Sequence, residues 1–249
     1  AEVATFDALI SKGAFLVRPD RLLVWGEQSA GHAMAAHGFA SDQVAVTGPP
    51  HYDLRVDVAP PGSPPLILVA GTTVAYWKDE VGVIQDLARM VDEEGLKARV
   101  WYRPHPRRPR RQVEAPEGVI LDPAWLEQAA KGGGYALDEA ALLQGWRALS
   151  QAAVLVTAWS TMIVEMALLG RPAIIIGYGE GVPAFGEWDH LKPVLSWPGV
   201  SVARSPDDLR RLVRWALDGR FNDAAEDLRR EADRVARALD RGARERIID

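Results

Sequence analysis

"AVLVTAWSTMIVEMALLGRPAIIIG", residues 153–177, reads as strand, helix and strand in one short stretch. Its flanks, AVLVT (153–157) and PAIIIG (172–177), are apolar without alternation, the pattern of strands covered on both faces. Between them Ser160 and Thr161 precede an apolar run, and a hydroxyl residue there suits a helix N-cap. The pattern predicts a helix over 160–170. One residue breaks its apolar surface: Glu165, among Met162, Ile163, Val164, Met166, Ala167, Leu168 and Leu169. A helix apolar all round is buried, and a buried carboxylate must be compensated by a partner or a ligand.

The same rhythm extends outward. RLLVW (21–25), QVAVTG (43–48), LILVAG (66–71), KARVWYR (97–103), GVILD (118–122) and GVSVA (199–203) read as further strands. EQSAGHAMAAHGF reads as a helix closing at Gly38. Residues 78–94 place Ile84, Leu87, Ala88 and Val91 on one helical face. Residues 137–151 do the same with Leu142, Leu143, Trp146 and Leu149, and residues 206–218 with Leu209, Leu212, Val213, Ala216 and Leu217. From Asp207 to Asp249 arginines and acids interleave, as on solvated helix faces with i,i+4 pairs. Strands alternating with helices predict an α/β fold, a Rossmann-like parallel sheet with helices on both faces. PPHYDLRVDVAPPGSPP (49–65) holds six prolines and reads as a linker. The expected organisation is 1–50 as one unit, 51–64 as linker and 65–249 as the second unit.

Bulk composition narrows the function classes. The chain has 249 residues, 48% of them hydrophobic, enough for one large domain or for one domain and part of another. A net charge of −5 argues against a general nucleic-acid binder. There is no cysteine, hence no disulfide and no Cys-based nucleophile or metal site. No stretch of 18 apolar residues occurs, and AEVATFDALISKGAFLVRPD lacks the pattern of a signal peptide, so a soluble, cytoplasmic protein is expected. The chain does not start with Met, as in a processed or truncated protein.

In an open α/β sheet, ligands bind beyond the carboxyl ends of the strands. Three notable stretches fall there: GTT (71–73), RPHPRR (103–108) and TAWST (157–161). Gly71 and Thr72 offer small residues and backbone amides for close approach of a phosphate. In RPHP, each proline stiffens the residue before it. His105 is then either held toward the crevice, to hydrogen-bond a phosphate or act as an acid, or solvated in a surface turn. Among Arg103, Arg107, Arg108, Arg110 and Arg111, one or two near the sheet end can hold a diphosphate, and the rest are solvated. Glu165 lies four residues after Thr161, one too many for a capping box. It either accepts two hydrogen bonds from a ribose diol, beside a phosphate at Ser160 and Thr161, or pairs with Arg171 or Arg103. His32 and His37 are five apart, not the four of a helical metal pair, His51 lies in the linker, and His190 follows a Gly-rich loop. No P-loop, GxGxxG, GxSxG or zinc pattern is present.

A strand ending in HP, then a strand followed by ST opening a helix with E and LLGRP, resembles the C-terminal donor-binding lobe of GT-B-type glycosyltransferases. The resemblance is to CDP-glycerol glycerophosphotransferases and the capsule Kdo and polysialic acid transferases with HP and S/T motifs, and it covers roughly residues 21–220. LLVWGEQSAGHAMAAHGFASDQVAVTGPPHYD looks like the segment joining the two lobes. The resemblance implies that 1–50 is part of an N-terminal Rossmann-like lobe and 65–249 the donor lobe. It implies His105 as donor-phosphate contact or catalytic residue, and Ser160 and Thr161 as phosphate ligands. Glu165 would be the ribose-binding carboxylate, with Gly71, Thr72 and Arg103 in the donor site. No metal or cofactor is implied beyond a CMP-, CDP- or UDP-linked sugar or polyol phosphate as substrate. The acceptor would be a saccharide or polymer, which could bring the protein to the inner face of a membrane. A two-lobed enzyme would need about 100 further residues of βα pattern ahead of Ala1, roughly a small domain. Two other readings stand beside it. One is a UDP-sugar 2-epimerase or hydrolase on the same fold. The other is a noncatalytic interaction module using the nine tryptophans and the charged C-terminal helices.

Overall fold

The computed structural model describes residues 2–4, 18–57, 60, 62–72, 77–106, 108, 113–130, 138–179 and 191–248. Within these, two parallel sheets form. The first has the order β1 (Glu2–Ala4), β2 (Leu22–Val24), β3 (Val44–Val46). Helix α1 (Glu27–His37) crosses from β2 to β3 and ends at Gly38, whose left-handed conformation (φ 65°) makes the expected C-cap. Leu22, Val24, Ala30, Ala33 and Phe39 form its small core.

The second sheet holds β4 (Leu66–Ala70), β5 (Arg99–Arg103), β6 (Val119–Leu121), β7 (Ala152–Thr157), β8 (Ala173–Ile176) and β9 (Val200–Ala203). Its spatial order is β6-β5-β4-β7-β8-β9, every pair parallel. Counting β4 as first, this is the 3-2-1-4-5-6 order of doubly wound folds. The unbroken apolar runs have their explanation in side-chain alternation. Leu66, Leu68 and Ala70 point into one core, with Trp101, Leu155 and Ile175. Ile67 and Val69 point into the other, with Tyr102, Val154 and Ile174. The α/β fold with a parallel sheet is the fold expected from the sequence.

Helices cover both faces. On the Ala70 side lie α4 (Glu139–Gln151), α5 (Met162–Leu168) and α8 (Ala225–Ala236). On the Val69 side lie α2 (Glu80–Glu93), α3 (Pro123–Ala130) and α7 (Pro206–Leu217). Two short helices, α6 (Lys192–Leu195) and α9 (Ala243–Ile248), complete the set among the described residues. Helix α5 is shorter than the 160–170 stretch suggested. Thr161 only flanks it, and the chain leaves the helix after Leu169 through Gly170 (φ 66°), with Arg171 N–H returning to Met166 O.

Residues 49–57, part of the proline-rich stretch, are fastened at both ends. Pro50–Leu54 forms a 3-10 turn that buries Tyr52 completely, edge-on to Trp146 and tilted against Trp25. Asp53 accepts the first amides of α9, from Ala243 (3.1 Å) and Arg244 (2.8 Å). Arg55 donates to Ala238 O at 2.8 Å. The chain after α8 also reaches the first sheet, where Arg237 Nη1 donates to Val46 O (2.8 Å) and Arg246 Nε to Thr47 O (2.7 Å). Gly48 makes this approach feasible. It sits at φ 79°, and a Cβ there would lie 2.5 Å from Arg237 O. The C-terminal segment expected with the second unit therefore touches the first sheet as well.

Candidate functional site

The crossover point of the second sheet lies between β4 and β7, where the chain order reverses. Register places Ala70 beside Arg103 on one side and beside Thr157 on the other. The three stretches singled out in the sequence thus start from one row across the sheet. Two hydrogen bonds lace this row. Gly71 N–H donates to Arg103 O at 2.8 Å, and the buried Thr157 hydroxyl donates to Ala70 O at 2.9 Å.

On the Ala70 face, Glu165 projects from α5 and is partly buried. Neither guanidinium considered for it forms an ion pair with it among the described residues. Arg103 gives its Nε to Asp122 Oδ2 instead. Asp122 is fully buried, and its other oxygen accepts Ala124 N–H at 2.9 Å, capping α3. Arg103 Nη2 is buried and has no hydrogen-bond partner among the described residues. Among the described residues, the hydrogen-bond partner of Glu165 Oε1 is the Tyr52 hydroxyl, which donates at a long 3.5 Å. Burial pushes the Glu165 carboxyl above its ordinary range, opposed by the nearby Arg103 charge and by Tyr52. Burial and the Glu165 charge together hold the Tyr52 phenol protonated. His51, 4.6 Å from Tyr52 ring to ring, is held below its usual value by burial, against the pull of Asp53.

Ser160 and Thr161 divide the roles assigned to either. Ser160 Oγ accepts Met162 N–H at 3.2 Å, while Thr161 has helical dihedrals and makes no capping bond with its side chain. The carbonyls of both start the helix, accepting from Ile163 (3.1 Å) and Val164 (2.9 Å). Both side chains are partly exposed at the crevice end of β7.

On the opposite face the structure adds a residue that the sequence reading passed over. Glu80, in the first turn of α2, is 1% exposed. It accepts Thr72 N–H at 2.8 Å and the Tyr102 hydroxyl, and pairs with Arg108 Nη2 at 3.0 Å. Arg108 Nη2 also donates to Thr72 O at 3.3 Å. Burial raises the Glu80 carboxyl, with these three donors pulling the other way. Gly71 is needed for this approach, since a Cβ there would meet Glu80 Oε1 at 2.8 Å. The Gly71 and Thr72 amides are thus both occupied within the protein. His105 sits just past β5, partly exposed, and its carbonyl accepts Arg108 N–H at 2.8 Å. Thr73, Arg107, Arg110, Arg111 and His190 lie outside the described residues.

A signal for Glu80 was present. Positions 80, 84, 87 and 91 share one helical face, so Glu80 continues the stripe of Ile84, Leu87 and Val91. Asp122 was signalled by Asp-Pro after a strand, an N-cap with proline at N1. Among the described residues no group of three His, Asp or Glu could hold a metal ion, and no helix is long and apolar enough to cross a membrane.

The sequence matches no protein-family model and none of the curated proteins. Solved structures match in fold. A putative UDP-N-acetylglucosamine 2-epimerase from Listeria monocytogenes aligns with 92% of this chain and 57% of its own, at 14% identity and TM-score 0.59. The wall teichoic acid polymerase TagF, soaked with CDPG, aligns with 92% of this chain and 55% of its own, at 18% identity and TM-score 0.60. S. aureus MnaA, in a co-structure with UDP, aligns with 92% and 58%, at 14% identity and TM-score 0.55. At such identities the likeness establishes the fold, and the chain spans a little over half the length of these proteins.

Proposed function

We propose that this chain carries the donor-binding lobe, and part of the acceptor-side lobe, of a GT-B-type glycosyltransferase or polyol-phosphate transferase. The donor is CMP-, CDP- or UDP-linked, and the reaction serves a surface polysaccharide or a teichoic-acid-type polymer. The observation that carries this reading is Glu165: a partly buried carboxylate on the helix that follows β7, with no ion pair and one long hydrogen bond among the described residues. Such a group is costly unless a ligand completes it. A ribose diol supplies two hydroxyl donors on adjacent carbons, matching the two oxygens of one carboxylate.

The neighbours fit the remainder of a nucleotide-linked donor. The unfilled Arg103 Nη2 gives an oxygen acceptor a cationic partner, and Asp122 holds its orientation through Nε. Ser160 and Thr161 offer hydroxyls to the phosphates. Gly71 and Thr72 contribute shape, because their amides are already bonded. In the transfer, an acceptor hydroxyl attacks the anomeric carbon or the polyol-bearing phosphorus. The bond to the nucleotide's phosphate oxygen breaks, the departing nucleotide takes the electron pair, and the acceptor hydroxyl's proton passes to water. His105 meets that developing charge with a hydrogen bond or a proton, and Arg103 with its fixed charge. The acceptor is a saccharide or polymer held partly by the first lobe, a role suited to the inner face of a membrane.

Titration with CMP, CDP, UDP and GDP tests this reading. Saturable binding of a pyrimidine nucleotide that is lost in Glu165→Ala supports it; no binding to any of the four overturns it. The epimerase fold match motivates one competing outcome. UDP release from UDP-N-acetylglucosamine without acceptor would place the chain with epimerases and hydrolases.

A further inference from the structure

No donor contact is assigned to Glu80, although it takes three donors near the crevice. We propose that Glu80 is a positioning residue for His105, and that its carboxylate fills, from within the chain, the anion-holding groups at the end of β4. Thr72 N–H, the Tyr102 hydroxyl and Arg108 Nη2 converge on this one side chain from a loop, a strand and a turn. An amide, a phenol and a guanidinium aimed at one point form a cradle for an oxyanion. Here the cradle is closed by a residue whose helix starts eight positions after Thr72.

The link to His105 runs through Arg108. Its guanidinium is fixed by Glu80 and by Thr72 O, and its backbone N–H closes the turn onto His105 O at 2.8 Å. Pro104 is buried and Pro106 follows His105, so the segment has few other ways to adjust. Anchoring Arg108 therefore fixes the backbone that presents the imidazole. A second consequence concerns the donor, and this part rests on the function proposed above. With Thr72 N–H taken, the phosphates are held from the Ser160–Thr161 side and by Arg103, not by the loop after β4.

The test reads His105 directly in the ligand-free protein. NMR spectra of the five histidine imidazoles, with His105 assigned by His105→Gln, are compared for the parent, Glu80→Gln and Arg108→Ala. Glu80→Gln keeps the shape, removes the charge and turns an amide NH2 toward one side of the cradle. Arg108 is less buried, at 16% side-chain exposure, so its removal tests the same link at lower cost to folding. Both variants are expected to shift His105 while leaving His32 and His37, in and at the end of α1, in place. Each is also expected to weaken nucleotide binding about tenfold, the scale of one lost charged hydrogen bond. A His105 signal unmoved in both variants overturns the inference. A His105 signal that shifts in both variants, when the parent binds no nucleotide, upholds it and overturns the donor reading instead.

Discussion

Asp122 gives the sharpest stability prediction, because it is fully buried and serves two partners. Asp122→Ala leaves the Arg103 guanidinium without its Nε acceptor and α3 without its cap. Removing one member of a buried ion pair costs roughly 3–5 kcal/mol. Arg103 keeps 15% side-chain exposure, and water reaching it brings that down to about 2–4 kcal/mol. The lost cap adds about 1 kcal/mol. The sum, about 3–5 kcal/mol, corresponds to a fall in Tm of about 6–20 °C for a chain of this length. Asp122→Asn keeps the cap oxygen but turns an amide NH2 toward Arg103 Nε–H, so it loses the ion pair and keeps the cap, and stability should fall by about 2–4 kcal/mol. Thermal and urea unfolding followed by circular dichroism measure both. Arg103→Met supplies the cycle: the double variant has no unpaired charge and should recover about 2 kcal/mol against the sum of the singles. Additive single effects, or an Asp122→Ala loss below about 1 kcal/mol, would show that the pair does not hold Arg103 in place.

Three further outcomes are expected. Gly71→Ala drives a methyl onto Glu80 Oε1 and should cost about 1–3 kcal/mol, measured as a lowered urea midpoint. Glu165→Gln should be more stable than the parent at neutral pH. A carboxyl raised on folding binds more protons in the folded state, so parent stability falls as pH rises from the ordinary value of 4.5 through the raised one. Unfolding from acid to neutral pH should show the two proteins converging below about pH 4. Nucleotide affinity should rise with pH over the same window, because diol hydrogen bonds favour the ionised carboxylate; calorimetry in buffers of different ionisation enthalpy would detect the released proton.

The strands were legible because apolar runs such as 66–71 and 172–177 have no other stable use than a doubly covered sheet. The row of strand ends that forms the crevice followed from the same reading. Glu165 was legible because a charge inside MIVEMALL contradicts its surroundings. Its environment was not, because Tyr52 comes from 113 residues away and sits in a proline-rich stretch without periodicity. Glu80 was overlooked for the opposite reason. An acid in the first turn of an amphipathic helix satisfies the helix dipole and looks solvated. Only its alignment with Ile84 and Leu87 marks it as inward. The seam between Gly48 and Arg237 depends on two segments far apart in sequence, and no local pattern encodes such contacts.

The role of Glu165 is tested most directly by removing the two groups it is proposed to hold. Affinities of the parent and of Glu165→Gln are measured for UDP and for its 2′,3′-dideoxy analogue. The parent should bind UDP at least about tenfold more tightly than the analogue, and Glu165→Gln should bind the two nearly equally. Equal affinities in the parent, or discrimination that survives in Glu165→Gln, would contradict the assignment of this carboxylate to the ribose.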